Sequence, residues 1–238
     1  MRYLALDIET TGLSPEHHHI LQFGAVLDDL KVQAPIEELP TFQAYVLPPS
    51  DFGYCGEPYA LQMNAGILRT IATRPRTPAK DGPLFLRPYQ FMAEFVKWAV
   101  AQGLSSNKKP DKPGIYAMEA DGPHHISFVP AGKNVAGFDL PFLRKCIPGW
   151  DQMRVRHRVL DPAMLYTDPF TDQVPPDLAE CLKRAGLDTT VTHEALDDAI
   201  QVVRLLRAKY PLNRVCMCDG GGSLAHVYGP RCTAGEPV

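Results

Sequence analysis

Two acidic residues near the amino terminus, Asp7 and Glu9, have a spacing that could support metal or acid–base chemistry. They close the short apolar run that begins at Tyr3, and they lie two positions apart. On a β-strand both carboxylates would therefore lie on one face. Like charges this close repel unless a cation lies between them, and Mg²⁺ and Mn²⁺ prefer carboxylate oxygen. The pair predicts either a divalent-cation site or a solvated strand end.

Two later segments place further carboxylates at the start of predicted helices. Asp139 follows Asn134-Val135-Ala136-Gly137-Phe138, at the junction of a turn and a helix. The segment Thr192-His193-Glu194-Ala195-Leu196-Asp197-Asp198 opens the last long predicted helix and adds a histidine. The chain thus contains Asp-X-Glu, Asn-Val-Ala-Gly-Phe-Asp and His-X4-Asp in that order.

This ordered set resembles the motifs of the DEDDh 3′→5′ exonucleases of the ribonuclease H-like superfamily. That family includes the proofreading ε subunit of bacterial replicative polymerase, oligoribonuclease and ribonuclease T. The stretch Asp-Ile-Glu-Thr-Thr-Gly-Leu at 7–13 is the most specific motif, 20–26 resembles the family's second strand, and 57–64 is similar to a stretch in some bacterial and phage members. The resemblance covers residues 1–210 and matches least over 74–130.

The resemblance implies an α/β fold with a mixed central sheet and flanking helices. It implies metal-dependent hydrolysis from the 3′ end of single-stranded or frayed DNA or RNA, which releases nucleoside 5′-monophosphates. Whether DNA or RNA is preferred stays open, because nothing in the sequence selects for the 2′-hydroxyl. The biological role, whether proofreading, repair, RNA turnover or a phage function, is open as well.

Five residues receive roles from the resemblance. It implies that Asp7 bridges two Mg²⁺ or Mn²⁺ ions, which would lie about 3.5–4 Å apart. Glu9 and Asp198 would hold the ion that carries the attacking water, and Asp139 would support the second ion. His193 would take the proton from that water, a task for which imidazole is suited near neutral pH.

The last motif requires a choice between Asp197 and Asp198. If the helix included His193, Asp197 at i+4 would lie about 40° around the helix from it, and Asp198 about 140°. The family's His-X4-Asp spacing points to Asp198, and the conflict disappears if His193 lies on the loop before the helix. We therefore predict Asp198 as the ligand and Asp197 as a solvated neighbour.

Four residues are placed near the 3′-terminal nucleotide by the resemblance: Thr10, Thr11, Leu13 and Asn134. Lys133 stands where many relatives have histidine, which could add a phosphate contact. Phe138 is predicted as a core residue, and Asp161 as a helix N-cap.

The net charge of −3 conceals an uneven distribution. Residues 1–68 carry 2 basic and 9 acidic residues, 69–158 carry 15 and 7, and 159–238 carry 7 and 11. A phosphate-backbone partner would explain the basic block at 69–158, although ordinary solvated faces would also produce it. A polymerase or a second copy of the chain stays open as a protein partner, because the tail shows no clear apolar docking motif.

Composition restricts the class of protein. The 238 residues are 45% hydrophobic, with 23 prolines and 18 glycines, which predicts a globular domain rich in turns. The apolar run before Asp7 is too short for a signal peptide, and no stretch approaches about 18 uncharged apolar residues. Six scattered cysteines suit reduced thiols. We expect a cytoplasmic protein without a membrane span.

Two smaller clusters have both a metal-binding and an ordinary interpretation. His17-His18-His19 could bind a metal, but a polar loop is the preferred interpretation. Cys216, Cys218, His226 and Cys232 offer four zinc ligands in the tail. Their Cys-X-Cys spacing differs from the usual Cys-X2-Cys clip, so reduced thiols are preferred.

The resemblance implies an exonuclease domain at 1–210, with a proline-rich, basic insertion at about 74–130, and it leaves a tail at 211–238 that contains cysteine and glycine. Hydrophobic periodicity and turn residues predict the elements of the domain. The predicted strands are 2–7, 20–27 and 41–47 in an antiparallel meander, a hairpin at 115–120 and 124–129, and 157–160. The predicted helices are 58–73, 88–102, 138–146, 177–185 and 194–210. Exposed loops are predicted at 74–87 and 105–113.

Two other functions remain open at this point. One is a non-catalytic subunit that uses the basic block to bind nucleic acid or a polymerase. The other is an endonuclease built on the same scaffold.

Overall fold

The structure, a computed structural model, describes residues 1–50, 53–75, 82–106, 125–190 and 192–212. The strands in those ranges are β1 (Arg2–Thr10), β2 (Ile20–Asp29), β3 (Thr41–Val46), β4 (Leu84–Leu86), β5 (Ser105–Ser106), β6 (His125–Phe128), β7 (Pro130–Ala131) and β8 (Arg154–Val155). The helices are α1 (Pro58–Met63), α2 (Ala65–Ala72), α3 (Pro88–Ala101), α4 (Asp139–Cys146), α5 (Pro162–Tyr166), α6 (Leu178–Arg184) and α7 (Ala195–Lys209).

A mixed five-stranded sheet organises these elements, in the order β4-β3-β2-β1-β7. The first three strands pair antiparallel as a meander, whereas β7 runs parallel to β1 and β4 parallel to β3. A smaller sheet contains β5, β6 and β8. The predicted α/β class, with a mixed central sheet and flanking helices, is confirmed.

The side chains of β1 alternate between two hydrophobic layers. The even-numbered residues join the core cluster that contains α3 and α4: Leu4, Leu6 and Ile8. Tyr3 and Ala5 pack instead with residues of α7. Asp7 and Glu9 continue this odd-numbered face toward the end of the strand, so both carboxylates lie on the side of the sheet that α7 covers.

A cluster of buried aromatic rings supports the opposite side of the sheet. Phe23 makes edge contacts with the rings of Phe42, Phe91, Phe95 and Trp150, at centroid distances of 5.1–5.9 Å. Edge-to-face pairs of this kind contribute about 0.5–1.5 kcal/mol each beyond their burial. The central strands therefore rest on a well-packed layer.

Helix α7 lies directly against β2. A Cβ on Gly24 would be only 2.2 Å from the backbone nitrogen of Leu196, so only glycine allows this approach. Near the other end of the helix, the guanidinium of Arg207 donates to Asp28 at 2.7 Å, and the Tyr3 hydroxyl donates to the same carboxylate at 2.6 Å. The strand thus fixes both ends of the helix.

The helix predicted over 58–73 is interrupted at Asn64. The backbone of Asn64 leaves the helical conformation, with φ −91° and ψ 20°. Its buried side chain donates to the carbonyl of Thr10 at 3.0 Å, so the break places an amide beside the end of β1. Sequence periodicity is insensitive to such a tertiary bond.

Four short elements differ from the sequence prediction. The strand predicted at 157–160 is absent from the described residues. The chain pairs instead at β8, because His157 and Arg158 are exposed and only Leu160 reaches Ala131, through an isolated bridge. The loop predicted at 74–87 contains β4, and the loop predicted at 105–113 begins with β5. A helix that was not predicted, α5, follows Asp161.

The remaining helices agree with prediction to within a few residues, and Gly103 follows α3 at φ +67°, as expected for a C′ glycine. The predicted hairpin before 125, most of the loop at 105–113 and the tail from 213 onward lie outside the described residues. In the part of the chain that the structure describes, no helix has the length and apolar character to cross a membrane.

Candidate functional site

A cavity of about 420 Å³ lies where β1 ends. The residues that line it include all five predicted catalytic positions: Asp7, Glu9, Asp139, His193 and Asp198. They come from β1, from the first residue of α4, from the loop before α7 and from the first turn of α7. The structure thus brings together, around one cavity, residues that lie up to 191 positions apart in the sequence, from Asp7 to Asp198.

Three of the four carboxylic side chains are withdrawn from solvent. Glu9, Asp139 and Asp198 are 8%, 3% and 7% exposed, and Asp7 is partly exposed. One buried oxygen of Asp139 and one of Asp198 have no hydrogen-bond partner among the described residues. Buried carboxylate oxygens without a partner are costly, and a bound cation would satisfy them.

The pKa of every one of these carboxyl groups is raised, first by burial and then by neighbouring carboxylates. Burial, with Asp139, Glu9 and Asp198 nearby, places the pKa of Asp7 well above its usual range. The pKa rises to about 8 for Glu9 and for Asp139, and to about 6 for Asp198, where the nearby His193 limits the rise. Without a cation the ionised carboxylates of this cluster repel one another.

Glu9, His193 and Asp198 lie close together in the cavity. One ligand atom from each side chain lies within 4.8 Å of the others, an arrangement that could hold a metal ion. Together with the unpartnered oxygens and the raised pKa values, this donor set fits hard divalent cations. The residues present therefore suit the Mg²⁺ or Mn²⁺ ions that the sequence resemblance implied.

His193 lies on the loop before α7, which begins at Ala195. Its backbone is left-handed, with φ +55°, and its side chain is exposed toward the cavity. Such a backbone is uncommon for a residue other than glycine and costs free energy that the surroundings must offset. Asp198 faces the cavity, whereas the exposed Asp197 accepts a hydrogen bond from the Thr192 hydroxyl at 3.0 Å.

The residue that fixes the start of α7 is Gln22, which the sequence analysis did not identify. Its fully buried amide accepts from the backbone N–H of Ala195 at 2.8 Å and donates to Glu194 at 2.6 Å. Gln22 to Asp28 spans about 20 Å of strand, and Ala195 to Arg207 about 18 Å of helix, so the contacts at the two ends match in spacing. A polar residue inside the apolar run of β2 was the available signal.

Asn64 is a second residue that the sequence analysis passed over. It is 2% exposed and lines the cavity beside Glu9. Its side chain opposes the effect of burial and holds the pKa of Glu9 below the value that burial alone would produce. The signal was its place at the end of the 57–64 stretch, which resembles that of some relatives.

The predicted substrate residues separate into two groups. Thr10, Leu13 and Asn134 line the cavity, together with Lys133 and Tyr59. Thr11 does not: it is fully buried, donates to the carbonyl of Cys55 at 2.6 Å and accepts from the backbone of His19 at 2.9 Å. Its hydroxyl is already satisfied inside the protein, so Thr11 holds the turn and is not placed to contact a nucleotide.

Asp161 joins the second motif to α5. One of its oxygens caps that helix by accepting from Ala163 at 2.9 Å, which confirms the predicted N-cap. The other accepts from the backbone N–H of Asn134, also at 2.9 Å. Asn134 has a left-handed backbone at φ +55°, and Asp161 holds this conformation in place. Phe138 packs partly against the core, as predicted, and also borders the cavity.

The histidine run at 17–19 belongs to the turn behind β1. His18 lies under Gly12, and its Nδ1 accepts from the backbone of Ser14 at 3.0 Å. Within the described ranges, the cavity group of Glu9, His193 and Asp198 is the only cluster that could hold a metal. The polar-loop interpretation of 17–19 stays a prediction. The tail cysteines and His226 lie outside the described residues.

No protein-family model and no curated protein matches the sequence. Solved structures of nucleases do match. Cell-death related nuclease 4 has a TM-score of 0.52 and 14% identity, over 87% of this chain and 62% of that one. A 3′-exonuclease solved in 3′-end specific recognition of a histone mRNA stem-loop has a TM-score of 0.52 and 15% identity, over 86% and 79%.

E. coli exonuclease I in complex with a 5cy-dT13 oligonucleotide has a TM-score of 0.50 and 14% identity. The match covers 87% of this chain and 40% of that one, so the chain spans well under two thirds of that enzyme. At these identities the likeness is one of fold. The protein has the ribonuclease H-like fold of these nucleases, the fold that the sequence resemblance implied.

Proposed function

We propose that this protein is a metal-dependent 3′→5′ exonuclease that removes nucleoside 5′-monophosphates from single-stranded or frayed nucleic acid. The observation that carries the proposal is the meeting of four carboxylates and one histidine in a single cavity. The cavity is open to solvent at the end of β1, so the 3′ end of a nucleic-acid chain can enter it. The nuclease fold supports the same conclusion.

The four carboxylates would hold two divalent ions: Asp7, Glu9, Asp139 and Asp198. Such ions, when bound, make water nucleophilic near neutral pH and neutralise the leaving oxygen. His193 takes the proton from the attacking water, because it lies beside Glu9 and Asp198 and remains accessible from the cavity. A general base of this kind contributes about 10²–10⁴ to the rate.

Other lining residues position the nucleotide. Leu13 and Tyr59 are 74% and 76% exposed and offer apolar surface to the terminal bases. Lys133 is exposed on the same cavity and carries a positive charge for a phosphate. Since stacking tolerates any base, this surface favours unpaired ends over a particular sequence.

The decisive experiment uses 5′-labelled DNA and RNA oligonucleotides of matched sequence, each with a free or a chemically blocked 3′ end. With Mn²⁺ we expect a ladder of products shortened one nucleotide at a time from the free 3′ end. Blocking the end or chelating the metal should stop the reaction. The ratio of DNA to RNA rates identifies the preferred substrate.

Two results would contradict the proposal. Equal cleavage of blocked and free substrates would identify an endonuclease. Binding without hydrolysis under any divalent cation would identify a non-catalytic nucleic-acid-binding subunit, which could serve a polymerase. A polymerase or homodimer partner and a proofreading role are further proposals, which copurification and sedimentation would test.

Gln22 offers a test of how the cavity is assembled. We expect Gln22→Glu to lower kcat by about 10–100-fold, an effect comparable with the loss of a residue that orients a metal ligand. The new carboxylate would face Glu194 and push the start of α7, with His193 and Asp198, away from Glu9. The rate is measured with thymidine 5′-p-nitrophenyl phosphate, so that KM and kcat separate without effects of strand length.

The matched control is the exchange Gln22→Glu with Glu194→Gln. It reverses the side-chain bond, leaves an acceptor for the Ala195 N–H and restores the total charge. We expect kcat to return to within about threefold of wild type. If Gln22→Glu lowers the melting temperature while kcat is unchanged, Gln22 is structural only. Failure of the exchange to restore kcat would also contradict the positioning role.

A further inference from the structure

A second cavity, of about 480 Å³, lies at the opposite end of β1 from the carboxylates. Three arginines line it: Arg2, Arg154 and Arg156. Ser105 and Ser127 add two hydroxyl groups, and no acidic residue is among the described residues that line it. We refer to this feature as the arginine cleft.

The three guanidinium groups of the arginine cleft differ in the contacts that they make. Arg2 donates to the carbonyls of Gln102 and Gly103, at 2.6 and 3.5 Å, where α3 ends. Arg154 and Arg156 lie two positions apart on the extended chain at β8, so their side chains project to the same side. Both are exposed, and neither forms an ion pair with a carboxylate in the described ranges.

Three like charges around one cavity repel each other, and an anion would relieve that repulsion. Guanidinium groups present planar, paired donors that match the oxygens of a phosphate. The cleft also provides a location for part of the basic block at 69–158, which sequence alone could not assign to one surface. Phosphate groups are therefore the ligand chemistry that fits.

We infer that the arginine cleft binds the phosphate backbone of the polynucleotide, away from the end that is cut. This inference rests on the proposed exonuclease function. From Arg2 to Asp7 the β-strand rises about 17 Å, which is the least distance that a bound polynucleotide would have to cover. Only an oligonucleotide long enough to cover this distance can occupy both the carboxylate cavity and the cleft.

The test compares Arg154→Ala/Arg156→Ala with the control Arg69→Ala/Arg204→Ala, which removes two exposed arginines that do not line the cleft. Fluorescence anisotropy in Mg²⁺ measures binding of 3′-blocked dT3 and dT15. For the cleft variant we expect Kd for dT15 to rise at least tenfold and the slope of log Kd against log salt to fall by about 1.4. The Kd of the cleft variant for dT3 should change less than twofold, and so should the Kd of the control variant for dT15.

Three results would overturn the inference. One is unchanged dT15 binding in the cleft variant. Another is an equal loss in the control, which would indicate total charge alone. The third is an equal loss for dT3, or full competition by inorganic phosphate, which would indicate a small-anion site.

Turnover of thymidine 5′-p-nitrophenyl phosphate separates this inference from the proposed function. The cleft variant should hydrolyse it at the wild-type rate, because the compound cannot reach the cleft. If wild type hydrolyses nothing but binds dT15 through the cleft, the proposed function fails while the cleft assignment stands. If wild type hydrolyses oligonucleotides and the cleft variant binds dT15 as tightly as wild type does, only the cleft assignment fails.

Discussion

Asp7→Asn is expected to reduce phosphodiester hydrolysis to background while the protein stays folded. Asp7 has the carboxylates of Glu9, Asp139 and Asp198 around it, so its charge contributes most to holding cations among them. The measurement is the initial rate on a labelled oligonucleotide over a range of Mn²⁺ concentrations. Asp197→Asn is the control, because that exposed carboxylate lies outside the cavity and should leave the rate unchanged.

The same variant is expected to be more stable than wild type when metal is chelated at pH 8. In the folded protein the pKa of Glu9 and of Asp139 is raised to about 8, so the folded state binds protons more tightly than the unfolded state. Stability from these groups is present at acidic pH and is lost as pH rises through about 8. Asp7→Asn removes one of the mutually repelling charges, so the variant loses less stability as the pH rises.

Thermal melts between pH 5 and 8.5, with chelator or with Mn²⁺, measure this effect. We expect the metal-free wild type to lose several degrees of melting temperature relative to Asp7→Asn as pH rises, at about 2–4 °C per kcal/mol. Mn²⁺ should raise the melting temperature of the wild type more than that of the variant. An Asp7→Asn protein that retains the wild-type rate, or melts lower than wild type in chelator at pH 8, contradicts the metal assignment.

His193→Ala is expected to lower the rate by about 10²–10⁴, the contribution of a general base. Its imidazole lies on an accessible loop and not in the packed face of α7, so its removal should leave the fold intact. Mn²⁺ affinity, measured by calorimetric titration, should stay nearly unchanged. His17→Ala removes an exposed histidine from a different loop and should keep the wild-type rate.

The competing role for His193 is that of a metal ligand, which its place within 4.8 Å of Glu9 and Asp198 would permit. Calorimetry separates the two roles, because loss of a ligand weakens metal binding together with the rate. The pH–rate profile gives a second readout, since a base must be unprotonated to act. A variant that keeps the acidic limb of the profile, or loses its metal affinity, would exclude the base role.

The parts of the fold that local patterns encode could be predicted from the sequence. The strands that form the meander alternate or run apolar over enough residues to be recognised, and Gly103 marks the end of α3. The strands β4 and β8 contain three and two residues, too few to produce a periodic signal. They form because neighbouring strands offer backbone partners, which a linear pattern does not reveal.

The site shows the same division. Asp7 and Glu9 share a face by the strand period, and a resemblance of motifs identified the carboxylates that join them in the cavity. Gln22 could not be identified in this way, because its function depends on Ala195, 173 positions away. Thr11 shows the converse, since a hydroxyl beside a motif was expected to contact substrate and instead bonds within the turn.

The docking of α7 on β2 also determines when the carboxylate cavity of a growing chain can form. Synthesis proceeds from the amino terminus, so β1 and β2 leave the ribosome long before the residues of α7 are made. Until then Asp7 and Glu9 lack both His193 and Asp198. A partly synthesised copy therefore has an incomplete cavity, and the group of four carboxylates and one histidine forms only when the helix at Ala195–Lys209 packs against Gly24.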